Sequence, residues 1–284
     1  MLLDSPAEAL SDRDLRTLVR LIYDRAGITL HDGKKALVSA RLQKRVRAGG
    51  FRSFADYVKF VEADTAGDEI VALLDAITTN HTSFFREEQH FQYLAETVIP
   101  TLRAAGRPGL KVWSAACSSG EEPYTLGMTV ADALRPEELA HTRIFASDLS
   151  TKVLRTAREG VYRMERVEGL PREVLRKHFE KGLGEQAGLC RVGPKVRSLV
   201  EFDRLNLLEI ADLGRRFDVI FCRNVMIYFD DATVTATVAR LTEALRPGGA
   251  LFVGVSESLL RYGVGLVCEE HDGVFVYRKA PVSP

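Results

Sequence analysis

No long hydrophobic run, internal repeat or low-complexity tract appears in the 284 residues. The opening MLLDSPAEAL has two acids, no base before Arg13 and too short an apolar stretch for a signal peptide or membrane span, so no export signal or anchor is expected there. Net charge is also missing: 39 Lys and Arg offset 39 Asp and Glu. Bulk attraction to nucleic acid or a membrane surface is thereby excluded, and electrostatic recognition must be local. Cysteine is scarce. Cys117, Cys190, Cys222 and Cys268 are widely spaced and make no metal-ligand pattern, which suggests a reduced, cytoplasmic setting. The six histidines form no base-plus-nucleophile set with a cysteine or serine, and no metal site is expected.

What is present divides into two textures. Up to about residue 80 the apolar residues recur at helical spacing. Leu15, Leu18, Val19, Ile22 and Tyr23 follow a Ser11–Asp14 capping pattern and stop at Gly27; a second helix spans about Lys34 to Ala48 and stops at Gly49-Gly50. Ser53 caps a third helix with Tyr57, Val58, Phe60 and Val61, and Asp68 to Thr78 makes a fourth. From Leu110 onward strand and helix patterns alternate, which argues for a mostly parallel sheet with helices on both faces. GLVCEE and GVFVYRK, joined around Asp272-Gly273, predict a closing antiparallel hairpin. Residues of about 160–205 interrupt the alternation; FEKGLGEQAGLCRV and VRSLVEF read as two short strands of an inserted β-subdomain. The division expected is thus 1–80 helical, 81–107 linker and lid, and 108–284 sheet domain.

Two stretches carry the chemistry. VWSAACSSGEEPY (Val112 to Tyr124) and FCRNVMIYF (Phe221 to Phe229) each leave an apolar strand for a polar loop, and ligands of open α/β sheets bind at such carboxyl ends. The small residues Ser114 to Gly120 let backbone amides approach a ligand, but the loop lacks spaced dinucleotide glycines and a Gly-Lys-Ser/Thr pair. Glu121 and Glu122 suit a helix dipole alone, yet two acids beside a small-residue turn fit a cationic ligand better. Asp148 can accept ribose hydroxyls or cap the next helix, a task Ser150 can perform by itself. Asn206 offers donor and acceptor to an adenine edge, with a turn role competing. Arg223, leaving a strand into the loop, needs an anionic partner such as a cofactor or substrate carboxylate. Tyr228 follows Asn224 by one helical turn, or is a core aromatic. Asn80, Thr82 and Arg86 sit with Phe84 and Phe85 in a stretch read as a lid, against the reading of a plain linker.

TTNHTSFFRE, WSAACSSGEEPYT, FASD, LNLL and FCRNVMIYF, in this order, resemble the chemotaxis receptor methyltransferases, the CheR family, over nearly the whole chain. The resemblance implies a Rossmann-like class I methyltransferase sheet and transfer of methyl from S-adenosylmethionine to glutamate side chains of chemoreceptors, leaving S-adenosylhomocysteine. It assigns the cofactor to Asn80, Thr82, Arg86, Glu122, Asp148, Asn206, Leu207, Arg223 and Asn224, and substrate positioning to Arg86 and Tyr228. It implies chemoreceptor cytoplasmic helices as partners, met by the basic second helix through Lys34, Arg41, Lys44 and Arg45, of which Lys34, Arg41 and Arg45 share an arc of roughly 40°; a solvated helix surface or a nucleic-acid face competes. The glycines Gly182, Gly184 and Gly188 resemble the loop by which some members add a receptor tail peptide as a strand; an ordinary hairpin competes. A monomer that binds no nucleic acid and inserts in no membrane is expected. The alternatives are a non-catalytic cofactor-sensing module and a methyltransferase acting on another substrate.

Overall fold

The computed structural model describes residues 9–30, 35–65, 67–77, 81–210, 213–271 and 273–281. By contact the chain forms two units: one within residues 1–80 that also takes in Tyr228–Thr233, and one of His81–Ile227 together with the chain from Val234 onward.

The smaller unit is helical. Helix α1 (Asp12–Ala26) begins where Ser11 Oγ accepts the Asp14 N–H at 3.1 Å and ends at Gly27, whose φ of 66° is the left-handed cap that glycine adopts without strain. Helix α2 (Lys35–Ala48) buries Val38, Leu42 and Val46. In α3 (Phe54–Ala63), Ser53 caps the start and Tyr57, Val58 and Val61 are buried, whereas Phe60 of the expected stripe is 49% exposed. Helix α4 (Asp68–Ile77) completes the set. The returning segment docks on this unit: Ile28 bridges Phe229, Thr29 N–H donates to the Tyr228 carbonyl at 2.8 Å, and Tyr23 donates to Asp230 at 2.8 Å.

The larger unit opens with a correction. Residues 81–107 are expected as linker and lid, but α5 (Gln89–Tyr93), a wider turn (Leu94–Val98) and α6 (Ile99–Ala104) run on as a helical segment. Phe91, Leu94, Val98, Ile99 and Leu102 are buried with the central strands, because their spacing gives this segment an apolar face too wide for a solvated linker.

Seven strands make the main sheet: β1 (Lys111–Ala115), β2 (Arg143–Asp148), β6 (Val200–Arg204), β7 (Phe217–Cys222), β8 (Leu245–Phe252), β9 (Val267–His271) and β10 (Val274–Arg278), in the order β6-β2-β1-β7-β8-β10-β9. The first five are parallel; β10 runs antiparallel to β8 and β9. Burial of all six residues of β7 fits a central parallel strand covered on both faces. Helices α7 (Glu121–Ala133), α8 (Pro136–Ala140), α9 (Thr151–Glu159), α10 (Arg172–His178), α11 (Pro194–Arg197) and α12 (Asp231–Ala244) complete the fold. Trp113, Val112, Val219, Phe221 and Phe252 are essentially fully buried, with the Phe221 and Phe252 rings stacked at 4.3 Å. Burial of each such side chain contributes about 1.5–3 kcal/mol.

The small antiparallel sheet, β3 (Val161–Arg163), β5 (Leu189–Val192) and β4 (Phe179–Lys181), is the insert. Gly182, Gly184 and Gly188 lie in its β4–β5 turn. The second strand expected there, VRSLVEF, instead splits: Pro194–Arg197 is helical and Val200–Arg204 is the edge strand of the main sheet, paired with β2. Both placements present a half-buried apolar strand, and the sequence pattern cannot choose between sheets.

Candidate functional site

Strand order reverses between β1 and β7, whose parallel register aligns Ala115 with Cys222. Their loops therefore leave the same edge side by side, the arrangement that forms ligand crevices in open α/β sheets. Every non-glycine residue with positive φ among the described residues belongs to three loops: Phe85 and Glu87, Ala116 and Ser118, and Asn224. Such conformations disfavour L-residues and persist only where surrounding structure holds them, which is why they collect at functional sites.

The two glutamates that begin α7 have different partners. Glu121 is fully buried and pairs with Arg166 of the insert, while Ser119 Oγ donates to it at 2.7 Å. Glu122 accepts from Ser114 Oγ at 2.7 Å and from Arg223 at 3.2 Å. Burial raises its carboxyl above the usual range, and Arg223 and Ser114 oppose that shift. Asp148 accepts the Ser118 N–H and the Ser150 N–H, each at 2.9 Å, and Ser150 does cap α9. The carboxylate thus shapes the loop after β1. Ser118 Oγ is buried without a hydrogen-bond partner. Asn206 Oδ1 accepts the Leu208 N–H at 3.1 Å at the start of a short turn, beside buried Leu207.

Arg223 is 6% exposed, and the anionic partners it has here are the protein carboxylates of Glu87 and Glu122. It binds Glu122, Glu87 Oε2 at 2.9 Å and the Arg86 carbonyl, and its guanidinium lies over Phe91 and Phe221. A buried cation between two carboxylates is the arrangement in which desolvation is offset. Glu87 is the residue the sequence reading passed over, although it closes the quoted TTNHTSFFRE; it also accepts from Asn224 Nδ2 at 3.2 Å. Burial works against its charge, yet Arg223 and Asn224 outweigh this and hold it below the ordinary carboxyl range. Beside it, burial and then Arg223 depress His90 to about 4, so its ring is neutral near pH 7. A second overlooked acid, Glu257, is 7% exposed and anchors the loop after β7. In the sequence Glu87 stands between Arg86 and Glu88 and Glu257 between Ser256 and Ser258, so no local pattern marks either as buried.

Thr82 is buried, and Arg86 Nη1 donates to the His81 carbonyl at 2.8 Å. The network thus gathers Arg86, Glu122, Arg223 and Asn224, with Asp148 on the neighbouring loop. Tyr228 groups with the helical unit, while Asn80 and Lys34 lie outside the described residues. On α2, Arg45 makes a two-point pair with Glu69, both contacts at 2.5 Å, so its charge is met within its own unit. The α2 sequence, without an acid, gave no sign of this partner on α4. Arg41 donates to the Ile77 carbonyl, and Lys44 is exposed. Burial pushes the Cys117 and Cys222 thiols well up, which removes them as nucleophiles near neutrality. No group of metal-ligating side chains occurs among the described residues, and no described helix is long and apolar enough to cross a membrane.

Residues 13–78 match the family profile "CheR methyltransferase, all-alpha domain" and residues 80–265 the profile "CheR methyltransferase, SAM binding domain". The chain is 44% identical over 252 residues to a chemotaxis protein methyltransferase of Salmonella typhimurium, covering 88% of this chain and 85% of that one. It is 43% identical to chemotaxis protein methyltransferase 2 of Pseudomonas aeruginosa, covering 87% of each chain. A relative from Borreliella burgdorferi is 35% identical, covering 87% of this chain and 88% of that one. The chain belongs to the CheR family of S-adenosylmethionine-dependent chemotaxis methyltransferases.

Proposed function

We propose that the protein is a protein-glutamate O-methyltransferase, which esterifies glutamate side chains of chemoreceptor cytoplasmic helices. The observation that carries this reading is the concentration of left-handed residues in the loops after β1 and β7, beside buried Glu121 and half-buried Glu122 and Asp148. The groups there suit the family's cofactor. Glu122 is an acid for a cationic amine or sulfonium, Asp148 has a carboxylate for a ribose diol, and Ser118 has a buried hydroxyl in need of a partner. Thr82, Arg86, Asn206, Leu207, Arg223 and Asn224 complete the proposed cofactor site, together with Asn80.

S-adenosylmethionine supplies an electrophilic methyl group on a positively charged sulfur. The attacking glutamate, with a reference pKa of about 4.3, arrives ionised at neutral pH and needs no general base. The protein's task is then orientation and exclusion of water, and orientation alone can supply about 7–11 kcal/mol in favourable cases. In this reading Arg86 and Tyr228 position the substrate carboxylate, and the Arg223 lattice keeps the loops fixed while they do so. Helix α2, through Arg41 and Lys44, meets the receptor. The exposed edge strand β4 and its glycine turn, with Leu183 80% exposed, suit addition of a receptor tail peptide as a further strand. The chain acts as a cytoplasmic monomer.

The test is methyl transfer from labelled cofactor to a receptor cytoplasmic fragment, with base-labile ester as product. Cofactor binding without ester on a matched receptor would favour the sensing-module alternative instead.

A further inference from the structure

Glu257 follows β8 by five residues, and its carboxylate is turned inward. Oε2 accepts the backbone N–H groups of Gly254 and Asn224, both at 2.7 Å, and Oε1 accepts that of Ile227 at 3.2 Å. Burial favours its protonated form and these amides oppose that. One side chain thus ties the loop after β8 to the loop after β7 at the point where Asn224 holds a φ of 59°. Contact there is close: a Cβ on Gly254 would lie 2.6 Å from Asn224 Nδ2 and 2.8 Å from Glu257 Oε2. Glu87 joins the same two loops, accepting from Asn224 Nδ2 and the Val255 N–H at 3.2 Å each.

We infer that Glu257 is a positioning residue for methyl transfer: through the Asn224 and Ile227 amides it imposes the backbone conformation that aims Asn224 at the cofactor. The inference rests on the cofactor-site reading of the β7 loop. An anion satisfies several converging amides at once, whereas a neutral isostere cannot, because one of its two terminal atoms donates. Two loops that are remote in sequence then keep one relative geometry, and a left-handed Asn224 needs no local turn to hold it.

The experiment measures S-adenosylmethionine affinity by calorimetry, together with kcat, KM for receptor and melting temperature, in the full chain. Glu257→Gln is compared with Val238→Ala, a cavity variant in the buried face of α12. Glu257→Gln should weaken cofactor binding about 10- to 100-fold while KM for receptor stays unchanged. Val238→Ala should lower the melting temperature and leave cofactor affinity as in wild type. Gly254→Ala, which pushes between Asn224 and Glu257, should weaken binding in the same direction and carries the test if Glu257→Gln fails to fold. Unchanged cofactor affinity in a folded Glu257→Gln or Gly254→Ala overturns the assignment alone. Wild-type protein that binds no cofactor overturns the underlying reading, and the assignment with it.

Discussion

At the scale of single residues, the protein's chemistry depends on buried charges that neutralise one another before any ligand arrives. Removing Arg223 would leave Glu87 and Glu122 facing each other without a cation. Arg223→Met is expected to cost about 3–5 kcal/mol of unfolding free energy, read from urea titrations, and to abolish cofactor binding. His90 gives a pH signature. Its folded pKa of about 4 lies below the unfolded value of 6.5, so the unfolded chain binds more protons between these limits. Stability should therefore fall as pH drops from about 6.5 towards 4, by up to about 3 kcal/mol. In His90→Leu the loss of urea midpoint between pH 7 and pH 5 should be smaller than in wild type. The sequence displayed the acids and the arginine but not their pairing. Arg223 was legible as a charge needing a partner; Glu87, 136 residues earlier, could be matched to it only by the fold.

Between elements, the insert is joined to the loop after β1 by side chains that the periodicity of neither could reveal. Tyr162 on β3 donates to the Ser119 carbonyl at 2.7 Å, and Arg166, just after β3, covers the fully buried Glu121. Because the Arg166 side chain is 42% exposed, water screens part of the loss, and Arg166→Ala should cost about 1–2 kcal/mol. The loop should lose more than the fold as a whole: cofactor affinity in Arg166→Ala falls, and Glu121→Gln in the same chain restores part of it, as a double-mutant cycle would measure. Elements with strong local signals were readable, among them the capped helices α1 and α3 and the DG hairpin of β9 and β10. The strand Val200–Arg204 was recognised but given to the wrong sheet, since a five-residue strand does not encode its neighbour. The segment from Gln89 to Ala104 escaped because a polar motif directly before it suggested a lid.

For the whole molecule, cofactor binding should be visible as stabilisation. At a cofactor concentration 100 times Kd, linkage adds about 2.7 kcal/mol, so the melting temperature of the larger unit should rise by several degrees in a thermal-shift titration. Absence of any shift at saturating cofactor would count against the proposed site. The overall class was legible because alternating strands and helices leave few topologies open, whereas the contact boundary between units was not. Residues Tyr228–Thr233 group with the helical unit although they stand far along the sequence. A fragment cut after residue 80 therefore omits the Phe229 backbone that pairs with Ile28 and the Asp230 carboxylate that receives the Tyr23 hydroxyl. Transplanting receptor preference between relatives by exchanging amino-terminal halves would leave a hexapeptide from the wrong parent in the graft, and a faithful chimera must carry both pieces.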